Sequence, residues 1–163
     1  KSQFNKFINF FGKNSINIDC TFPQEENLTN AIKRIQKEAE IAVRQGITQI
    51  ILSDKDLSSQ KLPMPMLLCV GAINTFLIEK KLRGYVSINV QSGEALDTHS
   101  FATLIGVGAT TVNPYLAFDS LYQRHEKKLF GKFSFDECVE RYIKSVNAGL
   151  LKIMSKMGIS VLS

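Results

Sequence analysis

Apolar and polar residues alternate along Ile16-Asn17-Ile18-Asp19-Cys20-Thr21-Phe22, the period of a strand with one buried face. Pro23 ends that segment, and Asn27 stands where a helix cap is needed. From Leu28 the rhythm changes. Ile32, Ile35, Ala39, Ala42 and Val43 recur at helical spacing, and Gly46 closes the pattern. Lys33, Arg34, Lys37, Glu38, Glu40 and Arg44 fall on the other, solvated face. Residues 47–52 predict a second strand, followed by a polar loop through Gln60. Pro63 and Pro65 bracket the start of an apolar helix that runs from Met66 to about Leu82, where Arg83-Gly84 breaks it. Residues 85–90 predict a third strand, and Asp97 or Thr98 caps a helix to about Ile105. Gly106 and Gly108 lead into a short fourth strand at 109–112, and Asn113-Pro114 turns the chain into a helix over 115–126. Ser134 or Asp136 caps a long helix through Met154 that ends at Gly158. Residues 1–15 carry Phe4, Phe7, Phe10 and Phe11 at helical spacing and predict a short helix or a docking arm.

The order is strand, helix, four times over. That alternation predicts an α/β fold with a parallel sheet and crossover helices. At 163 residues the chain is one domain, short of the roughly 250 residues of a complete eight-unit barrel. Functional groups in such sheets gather where strands end. Those ends are Thr21-Phe22, Ser53-Asp54, Gln91-Ser92-Gly93-Glu94 and Asn113-Pro114.

Composition narrows the class. With 44% apolar and 21% charged residues the chain is globular rather than disordered. Twenty basic against fifteen acidic residues give +5, too mild a charge to indicate nucleic acid. The basic connector at 124–132 has only Phe130 for an aromatic and includes Glu126, so it reads as a solvated loop. The longest apolar run, residues 66–73, is far below the ~20 residues of a membrane span. Neither nucleic acid nor membrane is therefore an expected partner. The opening Lys1-Ser2-Gln3-Phe4 carries no signal segment and reads as a piece excised from something longer. Cys20, Cys69 and Cys138 have neither disulfide nor zinc spacing, and fit unpaired thiols of a reducing compartment, cytoplasm or plastid-like organelle.

Chemistry-bearing residues are few. Ser53-Asp54 closes a buried strand with an oxygen pair, either a contact to a ligand or neighbouring domain, or an Asx turn into the loop. Asp54 has no carboxylate or histidine near it in sequence, so it is not assigned as a base. Gly93 permits a tight turn, and Glu94 fits a helix N-terminus. His99, alone on its helix, reads as a packed residue. Gly106-Val107-Gly108 lacks a third glycine and precedes a strand, so it caps a helix rather than cradling a phosphate. No catalytic, cofactor or metal residue is assigned. The residues alone also admit a stand-alone α/β domain holding a small anion at its strand ends through Ser53, Gln91 and Asn113.

Longer runs carry a resemblance. Leu67-Leu68-Cys69-Val70-Gly71-Ala72, Gln91-Ser92-Gly93-Glu94-Ala95, residues 100–109, residues 112–118 and Gly149-Leu150-Leu151-Lys152-Ile153-Met154-Ser155-Lys156-Met157-Gly158-Ile159-Ser160 resemble the central domain of glutamate synthase. The likeness runs from about Ile16 to the C-terminus. Asn74-Thr75-Phe76, Ser92-Gly93-Glu94 and His99-Ser100-Phe101-Ala102 depart from the family's usual residues, which argues against a simple chemical role there. The resemblance implies a long parent oxidoreductase. In it a glutaminase domain releases ammonia from glutamine, and a tunnel leads the ammonia to an FMN-bearing barrel. There 2-oxoglutarate becomes glutamate, with electrons from NAD(P)H or ferredoxin passing through an iron–sulfur cluster. The central domain would be a reduced, cofactor-free relative of that barrel, joining the two catalytic halves. It divides the chain into an arm at 1–15, a central domain at 16–150 and a junction at 151–163 toward the FMN domain. Ser53, Asp54, Gln91, Gly93, Glu94, Asn113, Ser155, Lys156 and Met157 are the implied tunnel or inter-domain positions. No catalytic residue of the parent falls within the chain, which alone is expected to be inactive.

Overall fold

The computed structural model describes residues 2–162, and of residues 2–5 and 7 the backbone alone. Helix α1 (Ser2–Phe11) precedes strand β1 (Ser15–Asp19), a short β2 (Thr21–Pro23) and α2 (Leu28–Arg44). Then come β3 (Gln49–Ser53), β4 (Lys61–Pro63), α3 (Met66–Glu79), β5 (Ser87–Gln91) and α4 (Thr98–Gly106). The chain closes with β6 (Thr111–Asn113), α5 (Tyr115–Glu126) and α6 (Phe135–Met157). The side chains of Phe4 and Phe7, expected on one face of α1, lie outside the described residues.

The main sheet has the order β1-β3-β5-β6, all parallel. Each crossover steps to the next neighbour in the same direction, so the sheet has no point where strand order reverses. This is the winding of a barrel wall, opened after four strands, rather than of a doubly wound sheet. Ile18, Ile50, Leu52, Ile88 and Val90 point to one face, where Ile35 and Ala39 of α2, Val70, Ile73 and Leu77 of α3 and Leu104 of α4 complete the core. Helices α2, α3, α4 and α6 lie side by side as a layer on that face. Cys20, Cys69 and Cys138 are buried and unpaired.

Local chemistry sets the boundaries. Asn27 caps α2 by accepting from the N–H of Thr29 at 2.8 Å, and Asp97 caps α4 through the N–H of Ser100 at 2.8 Å. Ser134, rather than Asp136, caps α6 in a reciprocal capping box with Glu137, and Gly158 ends that helix at φ +70°.

Some boundaries differ from expectation. Residues 16–22 are not one strand. The Asp19 carboxylate accepts from both the N–H and the hydroxyl of Thr21, at 2.9 and 2.7 Å, and turns the chain out of the sheet. Thr21–Pro23 then pairs antiparallel with Lys61–Pro63, a ribbon with no counterpart in the expected loop. Pro63 is tolerated there because the ribbon has only two strands, each with a free edge. Helix α3 stops at Glu79, three residues early, where Lys81 takes a left-handed conformation at φ +59°. The fourth strand begins at Thr111 rather than 109. The helix-to-strand connection at Gly108, φ +115°, takes up the difference.

Candidate functional site

The register stacks polar residues on the face of the sheet opposite the core. Across the strand ends, Asp19, Ser53, Gln91 and Asn113 stand in one row. One step below, Asn17, Ile51, Asn89 and Thr111 form the next. Since side chains alternate between faces, every residue of these two rows points away from α2, α3 and α4. Apart from Ile51 they are all polar.

The rows are tied by hydrogen bonds. The Ser53 hydroxyl donates to Gln91 Oε1 at 2.9 Å and accepts from the N–H of Lys55 at 3.2 Å. Asn89 donates to Gln49 Oε1 at 3.0 Å and to the Ile50 carbonyl at 3.2 Å, and accepts from the Thr111 hydroxyl at 2.8 Å. Asp19 closes the row in a 2.9 Å ion pair with Lys61. Its burial pushes its carboxyl up, but the bonds from Thr21 and Lys61 outweigh that and hold the pKa below the ordinary aspartate value.

Asp54 has a different place from its neighbour Ser53. It is 2% exposed, and its carboxylate accepts from the Ser92 hydroxyl at 2.6 Å and from the N–H of Gly93 at 3.1 Å to each oxygen. The Tyr115 hydroxyl also lies against it. Burial, then the Asp54 charge and hydrogen bond, push that phenol up to about 12, so Tyr115 remains a protonated donor. Asp54 is thus an internal tie that joins the ends of β3 and β5 to the start of α5. Gly93 is needed for the same junction, because a Cβ there would stand 2.6 Å from Leu116.

The remaining candidates separate. Glu94, expected at the start of the following helix, instead accepts from the N–H of Met66 at 3.0 Å and caps α3, whose first residues offer no cap of their own. Ser155, Lys156 and Met157 are exposed on the last turn of α6. They lie past Gly149, where a Cβ would meet Thr98 at 2.6 Å. Thr98 opens α4 after the carboxyl end of β5, so α6 carries the chain out beyond the strand ends. His99 is exposed. Asn89 and Tyr115 carry much of the site and escaped the sequence reading, and Ser92, which stands among the strand ends there, is given no role. Asp54 and Ser92 are 38 residues apart, and no local spacing relates them.

The Gly106–Gly108 turn packs on Asn74, which lies 2.5 Å from a Cβ position on Gly108, and Arg83 occupies the Gly108 carbonyl at 2.9 Å. Among the described residues no group of three His, Cys, Asp or Glu is placed to hold a metal. None of the described helices is long and apolar enough to cross a membrane.

An opened barrel wall of four parallel strands, with a polar inner face and tied strand ends, defines an α/β domain of partial-barrel type. Comparison with known proteins gives its family. The model of the glutamate synthase central domain matches residues 1–163, and the chain belongs to that family. It is 46% identical over 165 residues to the large chain of glutamate synthase [NADPH] of Azospirillum brasilense, covering 99% of this chain and 11% of that protein. It is 45% identical over 143 residues to the corresponding large chain of Bacillus subtilis, covering 88% and 9%. A ferredoxin-dependent glutamate synthase of spinach chloroplasts is 39% identical over 150 residues, covering 85% and 9%. The chain thus spans about a tenth of the length of these curated relatives.

Proposed function

We propose that the chain is the connecting domain of a glutamine-dependent glutamate synthase, in which it positions a glutaminase domain and an FMN domain and lines part of the ammonia path between them. The observation that carries this reading is the row Asp19, Ser53, Gln91 and Asn113 on the face turned away from α2, α3 and α4. Hydroxyls and amides there offer donors and acceptors to a small neutral molecule without holding it as an ion. A reactive intermediate led along a protein wall is kept from bulk water. The Asp54 tie to Ser92, Gly93 and Tyr115 supports the same reading, since it fixes the loops at the mouth of that wall. The alternative, a stand-alone domain binding an anion at Ser53, Gln91 and Asn113, fits less well. The row ends in the Asp19 carboxylate, and the Asp54 carboxylate lies beside it.

In this reading residues 1–15 are an arm, 16–150 the domain proper, and 151–163 the junction toward the FMN domain. Helix α6 runs through position 150 without a break, so the junction begins as a helical overhang. NADPH, NADH and ferredoxin all appear in the relatives' names, and the reductant of this chain's parent is left open.

The test is coupling in the full-length gene product. Asn113→Leu, at a side chain with no hydrogen bond among the described residues, is expected to raise glutamine hydrolysed per glutamate formed a few-fold, with glutaminase activity retained. An unchanged ratio would refute the path. The 163-residue chain alone is expected to purify without flavin and without glutaminase activity, and a stoichiometric flavin absorption band would contradict that.

A further inference from the structure

Strand β6 is paired on one side only. The Thr110 N–H is donated to the Ile88 carbonyl of β5 at 2.7 Å. The Ser92 N–H is donated to the Asn113 carbonyl at 3.1 Å, so Asn113 and, two residues back, Thr111 turn their backbone groups to β5, and the N–H and C=O of Val112 face away from the sheet. Edges meant to stay in water are blunted by lysine, proline or a bulge. Thr111-Val112-Asn113 has no charge and no proline.

A cleft of about 1040 Å³ runs along this edge. One wall is apolar, with Phe101 of α4 and Tyr142 and Val146 of α6; the other is polar, with Gln91, Thr111 and Asn113 from the inner face. The cleft therefore continues the two-faced character of the sheet past its last strand. The chain's winding leaves the same gap. Helices α2, α3 and α4 each return the chain to a new strand, whereas α5 is followed by α6, which packs against α4 and α5.

We propose that the open edge of β6 takes up a further strand, and that a part of the same polypeptide outside these 163 residues supplies it. The occupant is an extended segment of about five residues, the usual strand length. Its apolar side chains alternate toward Phe101 and Val146, and its small polar ones toward Thr111 and Asn113, as Ile88 and Val90 alternate with Asn89 and Gln91 in β5. Asp119 and Asp136 on the cleft wall favour a basic residue at one end. The source follows from length. The relatives hold roughly nine-tenths of their chain outside the matched region, and a tethered segment meets the edge at about millimolar effective concentration. The proposal shares with the connecting-domain reading only the premise of a longer polypeptide. It stands whether or not the polar row lines a path.

Amide hydrogen exchange tests it. In the 163-residue chain the Val112 N–H is expected to exchange freely; in the full-length gene product it is expected to slow by about 100-fold or more, as a ladder amide does. Val112→Pro, which removes that donor, is expected to free the partner segment in the full-length product, while Val112→Thr, which keeps it, leaves the segment protected. Equal Val112 exchange in the short and full-length chains would overturn the proposal. So would protection in the short chain that rises with its concentration, since that would make the occupant a second copy. The glutamine-to-glutamate ratio of Asn113→Leu is independent of either result, so the two readings fail separately.

Discussion

The two faces of one four-stranded sheet are built on opposite plans. On the outer face Ile18, Ile50, Leu52, Ile88 and Val90 are all 0% exposed under the helices. On the inner face the sheet presents Asp19, Ser53, Asn89, Gln91 and Asn113, where side-chain hydrogen bonds join Ser53 to Gln91 and Asn89 to Gln49 and Thr111. Burial of apolar area is non-directional and makes the outer face the source of stability. Hydrogen bonds contribute little net free energy but are costly to leave half-made, which makes the inner face a source of geometry. Adjacent residues of one strand can therefore differ widely in what their loss costs.

Leu52 and Ser53 make that comparison most sharply. Leu52→Ala leaves a cavity in a fully buried site and is expected to destabilise the chain by about 2–5 kcal/mol. Ser53→Ala removes a hydroxyl whose partners Gln91 and Lys55 lie at the water-facing strand ends, and is expected to cost about 1 kcal/mol or less. Urea unfolding of both variants decides. Equal losses would mean that the inner face is as much a core as the outer one.

Asn89 probes the inner face where it is driest, at 1% exposure. Asn89→Ala strands the Ile50 carbonyl, Gln49 and Thr111 without their partner, and is expected to cost roughly 1–3 kcal/mol. In the full-length product the same variant should disturb coupling less than Asn113→Leu, because Asn89 spends its amide within the sheet. A loss below 0.5 kcal/mol in urea would show the network to be loose.

Asp19 sets the pH dependence of this face. Its pKa is lower folded than unfolded, so its contribution is complete above the ordinary aspartate value near 3.9 and is lost as the pH falls through the lower folded value. Asp19→Asn is expected to lower thermal stability slightly at pH 7, the pair with Lys61 being largely solvated, and to reduce the further loss as the pH falls below about 4. An unaltered acid limb in the variant would show that Asp19 does not contribute to it.

The sequence reveals these two plans unequally. Period-two alternation marks which residues of β1 face apart, and the helical spacing of Ile35, Ala39 and Val43 marks the covering helix. Both are signals of burial, repeated over several residues. The order of strands and helices then gives a parallel sheet, and the family resemblance gives a partial barrel. Nothing in one dimension says that Asp54 reaches Ser92 and Tyr115, or that Glu94 caps α3 rather than its own helix. Those ties depend on register between strands some forty residues apart. The β2–β4 ribbon was hidden because three residues are too few to show a period, and Pro23 and Pro63 read as breakers.

The end of α6 gives the smallest effect and extends the comparison beyond the sheet. Past Leu150 none of the described residues is buried, although Leu151, Met157, Ile159, Val161 and Leu162 are apolar. An apolar stretch left in water within its own domain is the composition of a surface made for a neighbour. Leu151, 65% exposed, is the cleanest probe. Leu151→Ser is expected to shift the stability of the 163-residue chain by no more than about 0.5 kcal/mol, as surface changes do. In the full-length product the same change should cost more and should speed amide exchange at 154–160. If Leu151→Ser unfolds the short chain as readily as Leu52→Ala, the end of α6 belongs to this domain's own core, and the junction proposed at 151–163 is refuted.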